Sequence, residues 1–423
     1  MNSSKKILSA GQLKGPEFRR RHSVRPVHRT LGDRISRRLW FIESKSLCAE
    51  AQRRTQLEDF GDPPINTALK TLAESLESEA DLHPLGRLLM RIHLRELLET
   101  RLRLTEAWKR RSRVLDDTLV ERPIFITGMP RSGSTFLHEL LAEDPANRAP
   151  RVWEVMFPVP IKGNALNKED PRIRKAEACL WWFRRFAPGA DLVYPMRATT
   201  PHECVAIHSY TLMSEEFVST GRVPTYEAFL HVADLGPVYR WQKRFLQHLQ
   251  TGCPKRRWVL KSPDHVYGLD KLLTVFPDAA IIQTHRNPID VLKSQIQLTQ
   301  VLESMYARQI PRFQLGLSET RKVKQLSDYI TRFRDAHPEA AANFIDVTYR
   351  EFVSDPVGVV RRIYERLDIP LTAAAGERMR LLATARSRYQ KGGERRPLAH
   401  FGLDPEAEGK QFQGYCARFG VPC

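Results

Sequence analysis

A chain of 423 residues, 42% hydrophobic and 27% charged, has the composition of an ordinary globular protein and is long enough to bury one large core or two smaller ones. It contains no apolar run near the roughly 20 residues of a membrane span, and its basic N-terminus lacks the apolar core of a secretory signal. The net charge of +18 is concentrated at the start, where residues 1–56 carry 14 Lys or Arg against 4 acidic residues. This stretch has neither interleaved aromatics nor a binding motif, so it reads as a solvated basic arm over residues 1–30 and not as a specific nucleic-acid site. An Arg-rich, acid-poor start also has the make-up of an organelle transit peptide.

Residues 31–115 carry a helical pattern with few glycines. Leu85, Leu88, Leu89, Ile92, Leu94, Leu97 and Leu98 supply the apolar positions, and charged residues fill the rest. The segment is expected to pack on a main domain over 120–385. That domain begins with a strand, Pro123–Thr127, and a helix from Thr135 to about Glu143 whose buried stripe is Phe136, Leu137, Leu140 and Leu141. Residues 150–250 form a mostly helical insertion rich in aromatics, with Trp153 and Tyr194 as candidate pocket walls. Two further strands follow, Arg257–Lys261 and Ala279–Thr284, joined by a helix near Val266–Phe276. A fourth strand is expected at Asn343–Thr348, and then a helix over Pro356–Leu367. Near-continuous apolar strands separated by helices imply a parallel sheet covered on both faces, hence an α/β three-layer sandwich. The tail, 386–423, holds a basic loop at Lys391-Gly392-Gly393 and a last helix near Pro405–Arg418. Cys48, Cys179, Cys204, Cys253, Cys416 and Cys423 sit singly. They are expected to be free thiols in a reducing, cytoplasmic setting, with neither zinc nor a disulfide framework.

The chemistry starts in the turn after the first strand, Gly128-Met129-Pro130-Arg131-Ser132-Gly133-Ser134-Thr135. An apolar strand, a glycine-bounded cationic turn and an immediate helix make an anion cradle of backbone N–H groups and helix dipole. The turn nearly spells the nucleotide triphosphatase loop, but Ser134 stands at the lysine position and the cation has moved to Arg131. A triphosphatase also needs an acidic strand end to hold Mg²⁺. The next strand ends instead in His285-Arg286-Asn287-Pro288. There Arg286 leaves the strand, Asn287 caps the following helix, and Ser294 lies eight residues on, near two helical turns; a guanidinium fork plus a hydroxyl suits a phosphate monoester. No metal is called for.

Two phosphate grips at the carboxyl ends of parallel strands resemble the sulfotransferases that use 3′-phosphoadenosine-5′-phosphosulfate. Pro130-Arg131-Ser132-Gly133-Ser134-Thr135 fits their 5′-phosphosulfate loop, and Arg286 with Ser294 fits their 3′-phosphate pair. The blocks Val259-Leu260-Lys261-Ser262-Pro263-Asp264-His265 and Phe276-Pro277-Asp278-Ala279 are similar to the branch holding bacterial and tyrosylprotein sulfotransferases. The resemblance spans about 120–370. It implies a P-loop-type fold, the phosphosulfate nucleotide as co-substrate, and transfer of a sulfuryl group to a hydroxyl, or less often an amine, of a small-molecule, glycan or lipid acceptor. By the same resemblance Arg131, Ser132, Gly133, Ser134, Thr135, Arg286, Ser294 and Tyr349 bind the nucleotide, and Arg131 and Lys261 neutralise the leaving oxygen. Glu154, beside Trp153, is the first choice as base; His265 and Glu203, the latter in Pro201-His202-Glu203-Cys204, are rivals. The alternatives are a phosphotransferase of the same fold and a non-catalytic anion-binding relative.

Overall fold

In the computed structural model, which describes residues 31–160, 170–186, 195–251, 253–389 and 396–423, the apolar run after Pro123 becomes strand β1, Ile124–Gly128, buried along its whole length. Full burial follows from its position. It lies between β3 (Arg257–Lys261) and β4 (Ala280–His285), and β2 (Asn147–Arg148) and β5 (Phe344–Thr348) close the edges in the order β2-β3-β1-β4-β5. Every pairing is parallel. Alternate residues of β1 feed two cores. Ile124 and Ile126 pack with Leu137, Leu140, Val360 and Ile363, from helices Ser134–Ala142 and Pro356–Arg366. Phe125 joins Phe276, Phe245 and the helical N-terminal segment on the other side. Three layers result, as the strand pattern implies.

Strand order reverses at β1: the chain moves to β3 on one side and to β4 on the other. At such a switch point the connections leave a crevice beyond the carboxyl ends of the strands. The register fixes its floor, with Ile126 opposite Lys261 and Gly128 opposite Thr284.

The N-terminal segment resolves into helices Leu31–Leu39, Ser44–Thr55, Asn66–Ser78, Pro84–Arg110 and Ser112–Asp116. Helix Pro84–Arg110 is tied to the rest by Arg101, whose side chain is fully buried. Its guanidinium donates to the carbonyls of Phe60 (2.7 Å), Pro63 (2.6 Å), Gly61 (3.1 Å) and Tyr210 (2.7 Å), and lies 4.1 Å above the Trp241 ring. Arg101→Met would keep most of the volume but orphan four carbonyls. It should cost about 3 kcal/mol, since bonds from a charged donor are worth roughly 1.5–3 kcal/mol each and are partly replaced by water. The midpoint of urea unfolding at constant m-value measures this, and a loss below about 1 kcal/mol would show that water substitutes fully.

Several expectations change. The short edge strand β2 carries no pattern of its own and is formed by pairing Asn147 and Arg148 with Arg257 and Trp258. The helix expected near 266–276 begins as a 3₁₀ turn, Pro263–Gly268, before helix Leu269–Val275. The last helix is two, Pro405–Lys410 and Gln413–Phe419. Cys416 and Cys423 are joined in a disulfide, which corrects the reading of six free thiols. Gly420, at φ +62°, ends the helix and turns the chain back, bringing the two Cα atoms to 5.8 Å. Cys48, Cys179, Cys204 and Cys253 remain free. The basic arm at 1–30, Tyr194 and the Lys391-Gly392-Gly393 loop lie outside the described residues.

Candidate active site

The turn after β1 needs unusual backbone. Gly128 has φ +116° and runs so close to the Thr284 carbonyl that a Cβ would collide with it. Gly133, at φ +89°, is the N-cap of helix Ser134–Ala142; a Cβ there would meet Phe352 at 3.1 Å and Tyr349 at 3.4 Å. Arg131, between them, also sits in the left-handed region at φ +61°, a conformation costing a non-glycine residue on the order of 1 kcal/mol. The strained turn delivers the Arg131 side chain to Ser294, with Nε donating to Oγ at 3.0 Å. Arg286 closes the ring: its Nη1 donates to the Arg131 carbonyl at 2.7 Å, and its guanidinium lies 4.0 Å over the Tyr349 ring. Asn287 caps helix Pro288–Glu303 by accepting from the Ile289 N–H at 2.8 Å, which fixes Ser294 two turns along. Residues 163 positions apart in sequence are thus in hydrogen-bond contact.

This cluster forms one end of a cleft of about 1620 Å³, lined there by Arg131, Gly133, Ser134, Thr135, Arg286, Ser294 and Tyr349. Ser132 is the loop member whose hydroxyl turns away from it. It is 1% exposed and bonded to Thr284 Oγ1 at 2.6 Å, so its side chain ties the loop to β4 and any contact with a ligand is left to its backbone.

Lys261 ends β3 and lines the cleft, 3% exposed, with its ammonium 2.5 Å from Glu203. Glu203 is the N-cap residue of helix Cys204–His208, yet its side chain makes no cap bond and turns to the lysine instead. Backbone pairing holds it there. The Val152 and Trp153 N–H groups donate to the carbonyls of Thr200 and Ala198, and the His202 N–H donates to Pro150. Further carboxyls lie close by. Burial, and then the Asp264 carboxylate, push Glu215 up to about 8; burial, and then Glu203, push Asp264 up to about 7.

Two of the candidate bases fare differently. Glu154 does not line the cleft. Its carboxylate accepts from Arg148 at 2.7 Å and from the Arg151 N–H at 2.9 Å, the latter as the N3 member of the capping box of helix Val152–Met156. Trp153 packs under Arg172, 4.5 Å from its guanidinium, and forms no pocket wall. His265 is fully buried, edge-on to Phe125 and bonded through Nδ1 to the Tyr239 hydroxyl at 3.2 Å; burial holds it well below the usual imidazole range. It too is absent from the cleft wall. A 3₁₀ turn after Pro263 rotates it into the core and presents Asp264 and Tyr267 to the cleft instead. Of the three, only Glu203 reaches the space beside Lys261.

The rest of the wall is mixed: Leu97, Phe157, Leu180, Phe183, Leu298 and Leu302 line it together with Glu96, Glu215, Glu216, Glu319 and Lys322, and Arg54, Arg95, Arg103 and Lys175 add cations. Helix Pro84–Arg110 supplies several of these residues. Its apolar stripe reads as packing in the sequence; the mixed face His93, Arg95, Leu97, Thr100 that meets the cleft is the only hint of more. Arg386, which lines the cleft beside Phe136, carries no pattern in the sequence. Among the described residues no group of three or more His, Cys, Asp or Glu is arranged to hold a metal ion, and no helix is long and apolar enough to cross a membrane.

Comparison with known proteins bears on the same region. Residues 123–373 match the model of a sulfotransferase family. An omega-hydroxy-beta-dihydromenaquinone-9 sulfotransferase, Stf3, of Mycobacterium bovis is 28% identical over 279 residues, covering 61% of this chain; the match spans only 65% of that relative's length. Among solved structures, sulfotransferase STF1 of Mycobacterium tuberculosis overlays with a TM-score of 0.76 at 30% identity, covering 88% of this chain and 99% of its own. Sulfotransferase STF9 of Mycobacterium avium gives 0.79 at 28% identity, covering 90% and 97%. The matched segment holds the loop, Lys261, Glu203 and the Arg286–Ser294 pair and exceeds half the sequence, so the chain belongs to the sulfotransferase family.

Proposed function

We propose that this protein moves a sulfuryl group from 3′-phosphoadenosine-5′-phosphosulfate to a hydroxyl carried on an apolar, chain-like acceptor. The observation that carries the reading is the meeting of Arg131, Ser294 and Arg286 in a cleft that is also lined by the Lys261–Glu203 pair and by several large apolar side chains. The 5′-phosphosulfate is assigned to the loop N–H groups and the helix start at Ser134–Thr135, and the 3′-phosphate to Arg286 and Ser294. The acceptor oxygen attacks sulfur in line, its proton passes to Glu203, and the sulfur–oxygen bond to the phosphate breaks. Lys261 and Arg131 meet the charge left on that phosphate oxygen. An apolar acceptor is supported by Leu97, Phe157, Leu180 and Phe183 in the cleft wall, and by the omega-hydroxy-beta-dihydromenaquinone-9 in the name of the Mycobacterium bovis relative.

Calorimetric titration with 3′,5′-bisphosphoadenosine in EDTA tests the nucleotide assignment. Binding is expected without metal, and Arg286→Ala should weaken it roughly 10- to 100-fold, the loss of one or two charge-assisted bonds. Binding of Mg-ATP alone would turn the reading toward a phosphotransferase. A screen of hydroxyl acceptors with labelled donor, from phenols and sugars to long-chain alcohols in detergent, tests the acceptor class.

A further inference from the structure

Helix Pro171–Phe186 walls the cleft with one face and leaves the other bare. Arg172, Ala176 and Leu180 are buried along the inner side, and Phe183 continues it against Met305 and Tyr306. Arg172 anchors the start by donating to the Phe157 carbonyl at 2.9 Å and pairing with Asp170 at 2.7 Å. Helical spacing then sends Arg174, Ala178, Trp181, Trp182 and Arg185 outward, and all five are exposed. The two indoles are 56% and 54% exposed and touch edge to face at 4.7 Å. Trp182 also stacks on Phe186.

Exposed adjacent tryptophans are a liability in water unless something covers them. The charge around them narrows what that is. Arg174 and Arg185 flank the indoles, and Glu177, the helix's single carboxylate, is 40% exposed but engaged, accepting from the Ala198 N–H at 2.6 Å with Arg184 at 3.8 Å. Indoles beside two exposed arginines, with the helix's one carboxylate already engaged by a backbone N–H and Arg184, suit the headgroup layer of an anionic bilayer: the rings enter the interface and the cations meet lipid phosphates. The inner side of the same helix gives Lys175, Cys179, Leu180 and Phe183 to the cleft wall.

We propose that the outward face of helix Pro171–Phe186 is a docking surface for anionic lipid membranes, seating the cleft mouth on the bilayer. Binding stands on these residues alone. Its purpose, transfer of an apolar acceptor from lipid to cleft without passage through water, rests on the acceptor reading above.

Flotation of the full chain with vesicles tests it. Wild type should float with phosphatidylglycerol-containing vesicles but not with phosphatidylcholine alone, and should release as salt approaches about 1 M, where screening shortens to about 3 Å. Trp181→Ser/Trp182→Ser and, separately, Arg174→Glu/Arg185→Glu should each lower the partition coefficient roughly 10-fold or more while keeping wild-type affinity for 3′,5′-bisphosphoadenosine, which shows the fold intact. Brominated lipid should quench wild-type fluorescence and spare the tryptophan variant. Undiminished flotation of that variant would overturn the proposal and move lipid binding to the basic segment at 1–56. A dimer lost in that variant, with no flotation of wild type, would overturn it as well by making the face a contact between copies. Flotation as expected beside an acceptor screen that finds only soluble hydroxyls would leave the docking surface standing and remove the apolar acceptor.

Discussion

Lys261→Met should lower kcat by roughly 10²- to 10³-fold, the usual cost of removing a preorganised donor from a developing oxyanion, and change affinity for 3′,5′-bisphosphoadenosine far less. The expectation rests on burial and geometry. The ammonium is 3% exposed, ends the strand beside the anion loop and lines the cleft, and a charge so screened from water acts strongly on its neighbours. Single-turnover rates with saturating donor, beside titration of the nucleotide product, separate chemistry from binding. Because Lys261 also pairs with Glu203 at 2.5 Å, its removal strands a carboxylate, and a fall in rate has two possible origins. The double variant Lys261→Met/Glu203→Gln distinguishes them. If the lysine only neutralises Glu203, its removal costs nothing once Glu203 is a glutamine, and the double variant is as fast as Glu203→Gln. If the lysine stabilises the leaving oxygen, the double variant is slower than Glu203→Gln by about the factor that Lys261→Met costs alone.

What the sequence discloses and what it hides follow one physical division. The loop, the strand-end lysine and the Arg286–Ser294 spacing are local patterns: a glycine needed at positive φ, an apolar strand, a cap followed by two helical turns. Each survives in the structure within a residue or two. The identity of the carboxylate beside Lys261 is not local. Glu154 comes at the expected distance after the loop, but the pairing of β2 with β3 and the capping box of helix Val152–Met156 set its carboxylate against Arg148. Glu203 reaches the lysine because 198–202 hydrogen-bonds along 150–153, a pairing between segments with no shared periodicity. His265 failed for a related reason, since the turn type after Pro263 decides which of Asp264 and His265 faces the cleft. The wall supplied by helix Pro84–Arg110 was hidden because a stripe that packs and a stripe that lines a cavity share the same helical period.

Glu203→Gln is expected to reduce kcat by roughly 10²- to 10⁴-fold with nucleotide binding preserved, the range for loss of a general base. Glutamine keeps the shape and can still accept from the Lys261 ammonium, so the change removes proton-accepting capacity with little else. Glu154→Gln is the matched control. It weakens the bond from Arg148 and the capping box, for which a loss of about 1 kcal/mol in stability is ordinary, and it should leave kcat within a few-fold of wild type. The two variants therefore exchange phenotypes, one losing turnover at normal stability and the other losing stability at near-normal turnover. Single-turnover rates and urea midpoints on both proteins read this out. Normal turnover in Glu203→Gln would remove the base role from the Lys261 pair and direct attention to Asp264, which lines the same part of the cleft and which burial, then the Glu203 charge, already push up to about 7. In that event Asp264→Asn should carry the large loss, because a carboxyl poised near neutrality is well matched to taking a proton from a hydroxyl.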